Sequence, residues 1–299
     1  MTVSSSFLLL SLIGLSFSAI SYFRLRLPGP LMLVQFMIGW PVGELALQTI
    51  VGQGLVSLFF IRAGLLDTGT GQVALGICLL SWLLLGAVHR RSVAAGDEMA
   101  GALAHIDLEV EQDVSPLHGF LKPFGFRHPE VRVERNIAYG EVLPGDKGGR
   151  NLLDLRLPKA STAGDRRPVL LQVHGGGWIC VASNYRLSPK ATMPDHIVDV
   201  KRAIAWIRTH IEAYGGDPDF LCITGGSAGG HLSALAALTA NDPNFQPGFE
   251  EVDTRLDGAV PFYGVYDFCD RANDRGKAKM SDSIGPTVFK CLPEENPEL

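Results

Sequence analysis

Two glycine-bounded segments constrain this chain most: LQVHGGGW at residues 171–178 and ITGGSAGGH at residues 223–231. Each is an apolar, strand-like run that ends abruptly in glycines, and after the second a stretch of small residues, 228–240, continues with helical character. A chain that passes from strand to helix within a few residues needs glycine wherever backbones must approach closely. Gly225-Gly226-Ser227-Ala228-Gly229 is G-x-S-x-G between a strand and a helix, the context in which this motif lifts a serine hydroxyl to the top of a sheet. Ser227 is therefore the candidate nucleophile. The Ala228 backbone N–H is the first candidate oxyanion donor, helped by the positive end of the following helix. His174-Gly175-Gly176-Gly177 presents consecutive N–H groups with no side chain in the way, and Gly175 and Gly176 are the candidate partner donors. His174, Gly177, Gly225 and Gly229 complete the two motifs. Either motif alone is commonplace as a glycine-rich loop; in this order, each behind an apolar strand, they point to acyl transfer.

Strand and helix patterns alternate around them. Residues 131–139 alternate apolar and polar side chains, residues 140–149 are rich in turn formers, and residues 151–157 are expected to pair back antiparallel. Residues 169–173 are continuously apolar, which predicts a strand buried on both faces, and residues 179–182 read as another strand. Pro194 opens a helix whose stripe is Ile197, Val200, Ile204, Ile207 and Ile211, with Lys201, Arg202 and Arg208 off it; Gly215-Gly216 closes it. Residues 220–223 and 257–262 are further strands. The fold class is α/β, with a mostly parallel sheet and flanking helices.

The first ninety residues differ in kind. Residues 7–23 form an uncharged run at the short end of bilayer-spanning length, stopped by Arg24 and Arg26. Residues 31–61 form a second run, interrupted by Pro41 and Glu44. Its two pieces are short for separate spans, which predicts a single tilted or kinked helix with Glu44 facing another helix. Residues 71–88 form a third, ended by His89-Arg90-Arg91. Three transmembrane helices in residues 1–91 put both basic clusters on one side, so the positive-inside rule predicts a multi-pass protein of the cell membrane with its following domain in the cytoplasm. A cleaved signal peptide would need a basic start, which residues 1–6 lack. Residues 92–130 read as a linker and lid, with a short helix at 97–105 and a turn-rich apolar passage at 116–126.

A net charge of -5, without a clustered basic face or zinc-finger spacing, argues against a nucleic-acid partner. Five cysteines, odd in number and widely spaced, suit neither a disulfide framework nor a metal site, and are expected to be reduced and mostly in the core.

HGGGW, with NYRLSP at 184–189, PDHIVDVKRAIAW at 194–206, GGDP at 215–218 and GGSAGGHL at 225–232, resembles the hormone-sensitive-lipase-like α/β-hydrolases. The membrane-leading head resembles their mycobacterial and related actinobacterial carboxylesterase/lipase branch. The resemblance covers most of the chain and is strongest over residues 169–267. It implies hydrolysis of small acyl esters by a Ser-Asp-His triad, without cofactor or metal, with substrate and lipid bilayer as partners.

The chain departs from that pattern twice. Relatives insert a helix between HGGGW and the strand leading into NYRLSP, whereas here Ile179 follows Trp178 directly. Parallel neighbours need a crossover of about a dozen residues, so an internal deletion is inferred. Relatives also continue past a PEENPEL-like segment to an Asp and a His. After Ser227 the sequence holds only His231, expected to pack locally, and Asp253, Asp257, Asp267, Asp270, Asp274 and Asp282 lie in no acid motif. The expectation for residues 131–299 is an incomplete α/β-hydrolase domain, without catalytic acid and base, and a weak or inactive esterase. The alternatives are a non-catalytic membrane-anchored binding module and a gene fragment.

Overall fold

Apolar runs of near-spanning length become helices, and the glycine-punctuated half becomes strands with covering helices. The computed structural model describes residues 2–23, 31–104, 116–123, 128–141, 150–176, 185–268 and 285–291. The chain divides into two units, Met1–Phe126 and Arg127–Leu299.

The first unit contains α1 (Val3–Phe23), α2 (Leu31–Glu44), α3 (Ala46–Arg62), α4 (Gly69–Leu103) and the short α5 (Pro116–Leu121). Two of them, α1 and α4, are long and apolar enough to cross a membrane. The second apolar run is not the single helix expected. It breaks between Glu44 and Ala46, and its halves are bent by 88°. Pro41 sits inside α2 without breaking it, and Glu44 is exposed rather than set against another helix. The third run exceeds its apolar stretch: α4 passes through His89-Arg90-Arg91 and absorbs most of the separate helix expected at 97–105. Residues 92–103 lack proline and carry Ala, Glu, Met and Leu, so helix propensity carries the helix on. Thr68 caps its start, Oγ1 accepting the Gly71 N–H at 3.1 Å.

The helices meet through small polar groups. On α1 the buried residues Ser4, Phe7, Ser11 and Ser18 share one heptad face. Ser4 pairs with Thr68 and Ser18 with Ser81, each at 2.7 Å, so α1 and α4 run parallel. On the antiparallel α3, Gln53 Oε1 accepts from Ser81 Oγ at 3.2 Å and Cys78 Sγ at 3.8 Å. Small residues and interhelical hydrogen bonds of this kind join helices in apolar surroundings, where burial gives little drive.

In the second unit β1 (Val131–Ala138) and β2 (Leu152–Pro158) pair antiparallel. The strands β3 (Arg167–Val173), β4 (Gly216–Gly226) and β5 (Gly258–Phe262) form a parallel sheet in that order. Beside it lie α6 (Asp195–His210) and α7 (Ala228–Leu238). The isoleucine and valine stripe of α6 and of Ile211 after it is buried with Leu221 and Ile223 of β4 and Leu232 and Ala236 of α7. Each such side chain contributes about 1.5–3 kcal/mol of burial.

One expectation is corrected here. Leu170 of β3 is 62% exposed, as are Val260 and Phe262 of β5 to about half, so the sheet buries one face, not two, among the described residues. An unbroken apolar run does not reveal how many faces are covered. Lys201, off the apolar stripe, is fully buried, its Nζ donating to the Thr239 carbonyl and, at 3.4 Å, to Gln246 Oε1. Position 201 borders the stripe, and its long stem reaches across the core. Among the described cysteines, all unpaired with one another, Cys78 is buried while Cys222 and Cys291 are only half-buried. The strand expected at 179–182 and most of the turn at 140–149 lie outside the described residues.

A buried ion pair ties the segment beginning at Tyr185 to α6. Asp199, fully buried, accepts from Arg186 Nε at 2.8 Å, Nη2 at 2.9 Å and the backbone N–H at 2.9 Å. Asp199→Ala leaves Arg186 with Asp195 alone, 3.1 Å from Nη1, and the loss expected is that of charge-assisted hydrogen bonds, about 1.5–3 kcal/mol. Denaturant unfolding of the detergent-solubilised protein checks it; a loss under about 1 kcal/mol, the scale of an exposed pair, would contradict this account.

Candidate active site

Between the end of β4 at Gly226 and the start of α7 at Ala228 stands one residue, Ser227, with φ 56° and ψ -120°. A non-glycine residue held there stores about 1–3 kcal/mol of strain, and two backbone bonds hold it. The Ser227 N–H donates to the Phe262 carbonyl and the Ser227 carbonyl accepts from the His231 N–H, each at 3.0 Å.

The glycines explain how this turn fits. A Cβ on Gly229 would stand 2.2 Å from the Val173 carbonyl oxygen, and one on Gly225 2.5 Å from the same atom. The first turn of α7 thus rests directly on the carboxyl end of β3. A Cβ on Gly175 would lie 2.6 Å from the Gly226 oxygen and 3.4 Å from Ser227 Cβ. Gly176, at φ 113°, takes a conformation open only to glycine. The structure therefore brings Ser227, Ala228, His174, Gly175, Gly176, Gly225 and Gly229 together, while Gly177 lies outside the described residues.

His174 is a support of this loop. Its ring stacks on Tyr185 at 4.4 Å, and its Nδ1 lies 2.7 Å from the Gly175 oxygen, which places the proton on that nitrogen. Burial lowers its pKa, so the ring is neutral. The other two inward histidines are also buried in contacts of their own. His196 Nε2 meets Ser188 Oγ at 3.2 Å, and the His231 ring packs edge-on against Phe268 at 5.3 Å. Burial pushes each down to about 4, with the neighbouring His196 adding to the effect at His231. Among the described residues no side chain hydrogen-bonds the Ser227 hydroxyl. The candidate acids are no closer to a role: Asp253 pairs with Arg255 at 2.8 Å, and Asp257 accepts the Leu221 N–H at 2.7 Å. Asp267 is half-buried, and Asp270, Asp274 and Asp282 lie outside the described residues. Among the described residues no group of His, Cys, Asp and Glu is arranged to hold a metal.

One neighbour escaped the sequence motifs. Tyr263, at φ 39° and 72% exposed, brings its hydroxyl to 2.7 Å from where a Gly226 Cβ would stand. The only sequence signal is FYG at the carboxyl end of β5, since carboxyl ends of adjacent parallel strands converge on one site.

The BD-FAE family model matches residues 179–297. The probable carboxylic ester hydrolase LipM of Mycobacterium tuberculosis is 55% identical over 185 residues, which are 54% of this chain and 41% of that protein. Esterase LipC of the same organism is 43% identical over 246 residues, 72% of this chain and 58% of LipC. These matches support a hormone-sensitive-lipase-like α/β-hydrolase esterase family for this chain. It spans about half the length of these curated relatives. A solved truncated carbohydrate esterase from gut microbiota is 24% identical, with a TM-score of 0.40 over 48% of this chain and 60% of its own.

Two outcomes are expected of this unit. Gly229→Ala forces a side chain into the Val173 and His174 carbonyls, and overpacking of this kind costs about 1–3 kcal/mol; thermal unfolding of the variant measures it. Acid sensitivity follows from the two core histidines, whose folded pKa of about 4 lies below that of an unfolded chain. Between about pH 6.5 and 4 the unfolded state takes up protons that the folded state refuses, so stability falls by about 1.4 kcal/mol per pH unit for each histidine. His196→Gln should flatten the dependence of the unfolding midpoint on pH; an unchanged slope would show that other groups set it.

Proposed function

We propose that this protein is a membrane-anchored serine carboxylesterase in which Ser227 is the nucleophile. The single observation that supports it best is the strained Ser227 turn between β4 and α7 with Gly175 packed against it, the strand-to-helix setting in which a G-x-S-x-G serine serves as nucleophile. In this reading Ser227 Oγ attacks the ester carbonyl carbon, the carbonyl electrons move onto oxygen, and the Ala228, Gly175 and Gly176 N–H groups hold that oxyanion. Collapse expels the alcohol and leaves an acyl-serine, which water then hydrolyses. The naming of LipM and LipC as ester hydrolases supports an acyl ester as substrate.

The serine proton needs a base. None of the described histidines near the sheet hydrogen-bonds the Ser227 hydroxyl: His174 stacks on Tyr185 and bonds Gly175, His196 bonds Ser188, and the His231 ring packs against Phe268. Without a base, only the acceleration due to oxyanion hole and binding remains, about 10³–10⁴ over water. The 299 residues are therefore a weak or silent esterase unless a base reaches Ser227 from outside the described set. The first unit is the membrane anchor, with Arg90 and Arg91 on the cytoplasmic side together with the hydrolase unit, in keeping with the positive-inside rule.

Hydrolysis of p-nitrophenyl butyrate in detergent, by wild type beside Ser227→Ala, tests this. The expected result is slow turnover that falls to background in the variant. Equal rates in both would remove Ser227 from the chemistry and favour a binding module built on the same scaffold.

A further inference from the structure

The 88° bend between α2 and α3 divides one apolar run into two parts that cannot have the same relation to a bilayer. With 17 residues, α3 measures about 25 Å, close to the hydrocarbon thickness of about 30 Å. It runs antiparallel to α4, joined through Gln53 and Ser57 to Cys78 and Ser81. With α3 upright, α2 is at right angles to the membrane normal. Its 14 residues make about 21 Å, too short to span even if it were upright.

The position of α2 in the bundle agrees with this. Gly39 packs against Ile20, and its carbonyl accepts the Ser21 hydroxyl at 2.9 Å; Gly43 faces Ser21 and Val88. These contacts lie at the last turn of α1 and where the apolar part of α4 gives way to His89-Arg90-Arg91. At the same level Arg91 donates to the Tyr22 carbonyl at 3.1 Å and sits 4.1 Å from the Tyr22 ring centre. An arginine and a tyrosine together mark a headgroup boundary. One side of α2 thus rests on protein across the end of the bundle, while Phe36, Met37 and Trp40 are half-exposed, with the Phe36 and Trp40 rings stacked at 5.5 Å. Glu44, at the bend, is exposed. In a single spanning helix this carboxylate would lie near mid-bilayer, where it is costly; at the boundary it meets water.

We propose that α2 is an in-plane interfacial helix, seated at the headgroup and acyl boundary of the leaflet that carries Arg90 and Arg91, with Phe36, Met37 and Trp40 as its lipid contacts. The inference rests on reading the first unit as a membrane anchor. It leaves α1, α3 and α4 as the crossings and makes residues 31–44 a surface anchor. Its lack of a polar face follows from its cover: protein takes the side that solvent would otherwise meet.

The test is the depth of Trp40 in the full chain reconstituted in phosphatidylcholine vesicles, with Trp82, Trp178 and Trp206 replaced by Phe. Lipids brominated near the headgroup should quench it more strongly than lipids brominated near the methyl terminus, giving a depth of about 5–10 Å below the surface. The parallel chain that keeps only Trp82, in the middle of the apolar part of α4, should show the opposite order. The quenching profile lost on Trp40→Phe in the otherwise unaltered chain provides the same depth without disturbing Trp82. Deep quenching of both tryptophans overturns the in-plane helix while leaving the anchor intact. Quenching of neither overturns the membrane reading and the proposal with it. Deep quenching of Trp82 with none of Trp40 also overturns the proposal, because the α2 face would then be covered by protein or water.

Discussion

Backbone packed directly on backbone at the carboxyl ends of β3, β4 and β5 is the constraint on which the second unit depends. The carbonyls of Val173 and His174 occupy the space where side chains on Gly225 and Gly229 would stand, and the Phe262 carbonyl fills that of Gly230. With side chains absent, α7 starts immediately after the sheet, and Ser227 must take up a positive φ between them. The strain at one residue is held by the pairing of three strands, so the strongest part of the structure supports its least relaxed residue.

The supporting layer is α6, which uses its buried charges as ties rather than as chemistry. Asp199 fastens Arg186, and through it Tyr185, whose ring stacks on His174 in the loop beside Ser227. On the far side Lys201 reaches the Thr239 carbonyl at the end of α7 and the Gln246 amide. One helix thereby connects both flanks of the serine turn to the core. The first unit follows a different logic: its contacts are serine, glycine and glutamine on helix faces, since between apolar helices the association rests on close packing and hydrogen bonds.

Much of this was legible from the residues. The stripe of α6, the antiparallel pairing of β1 with β2 and the serine placed between strand and helix follow from periodicity and glycine placement, which are local properties. What was misread or missed depends on neighbours distant in sequence. Lys201 is one position from the stripe, and only the Gln246 and Thr239 groups that receive its ammonium make burial tolerable. Leu170 belongs to an apolar run, yet the cover on each face of a strand depends on elements elsewhere in the chain. Tyr263 reaches the site because β5 pairs parallel to β4, a long-range event that no short motif encodes. The run over residues 31–61 has the composition of a single span, and composition does not record a right-angled bend.

The sequence by itself determined which segments are apolar, where strand must change to helix, and that Ser227 stands at such a change among glycines. These depend on side-chain size, hydrophobic period and backbone freedom over a few adjacent residues. The tertiary structure alone decided that Gly175 lies against Ser227, that burial keeps His174, His196 and His231 neutral, and that α2 turns across the end of its bundle. The reason is the same in each case: burial, desolvation and close approach are properties of groups far apart in the chain, and they exist only once the chain has folded to bring them into contact.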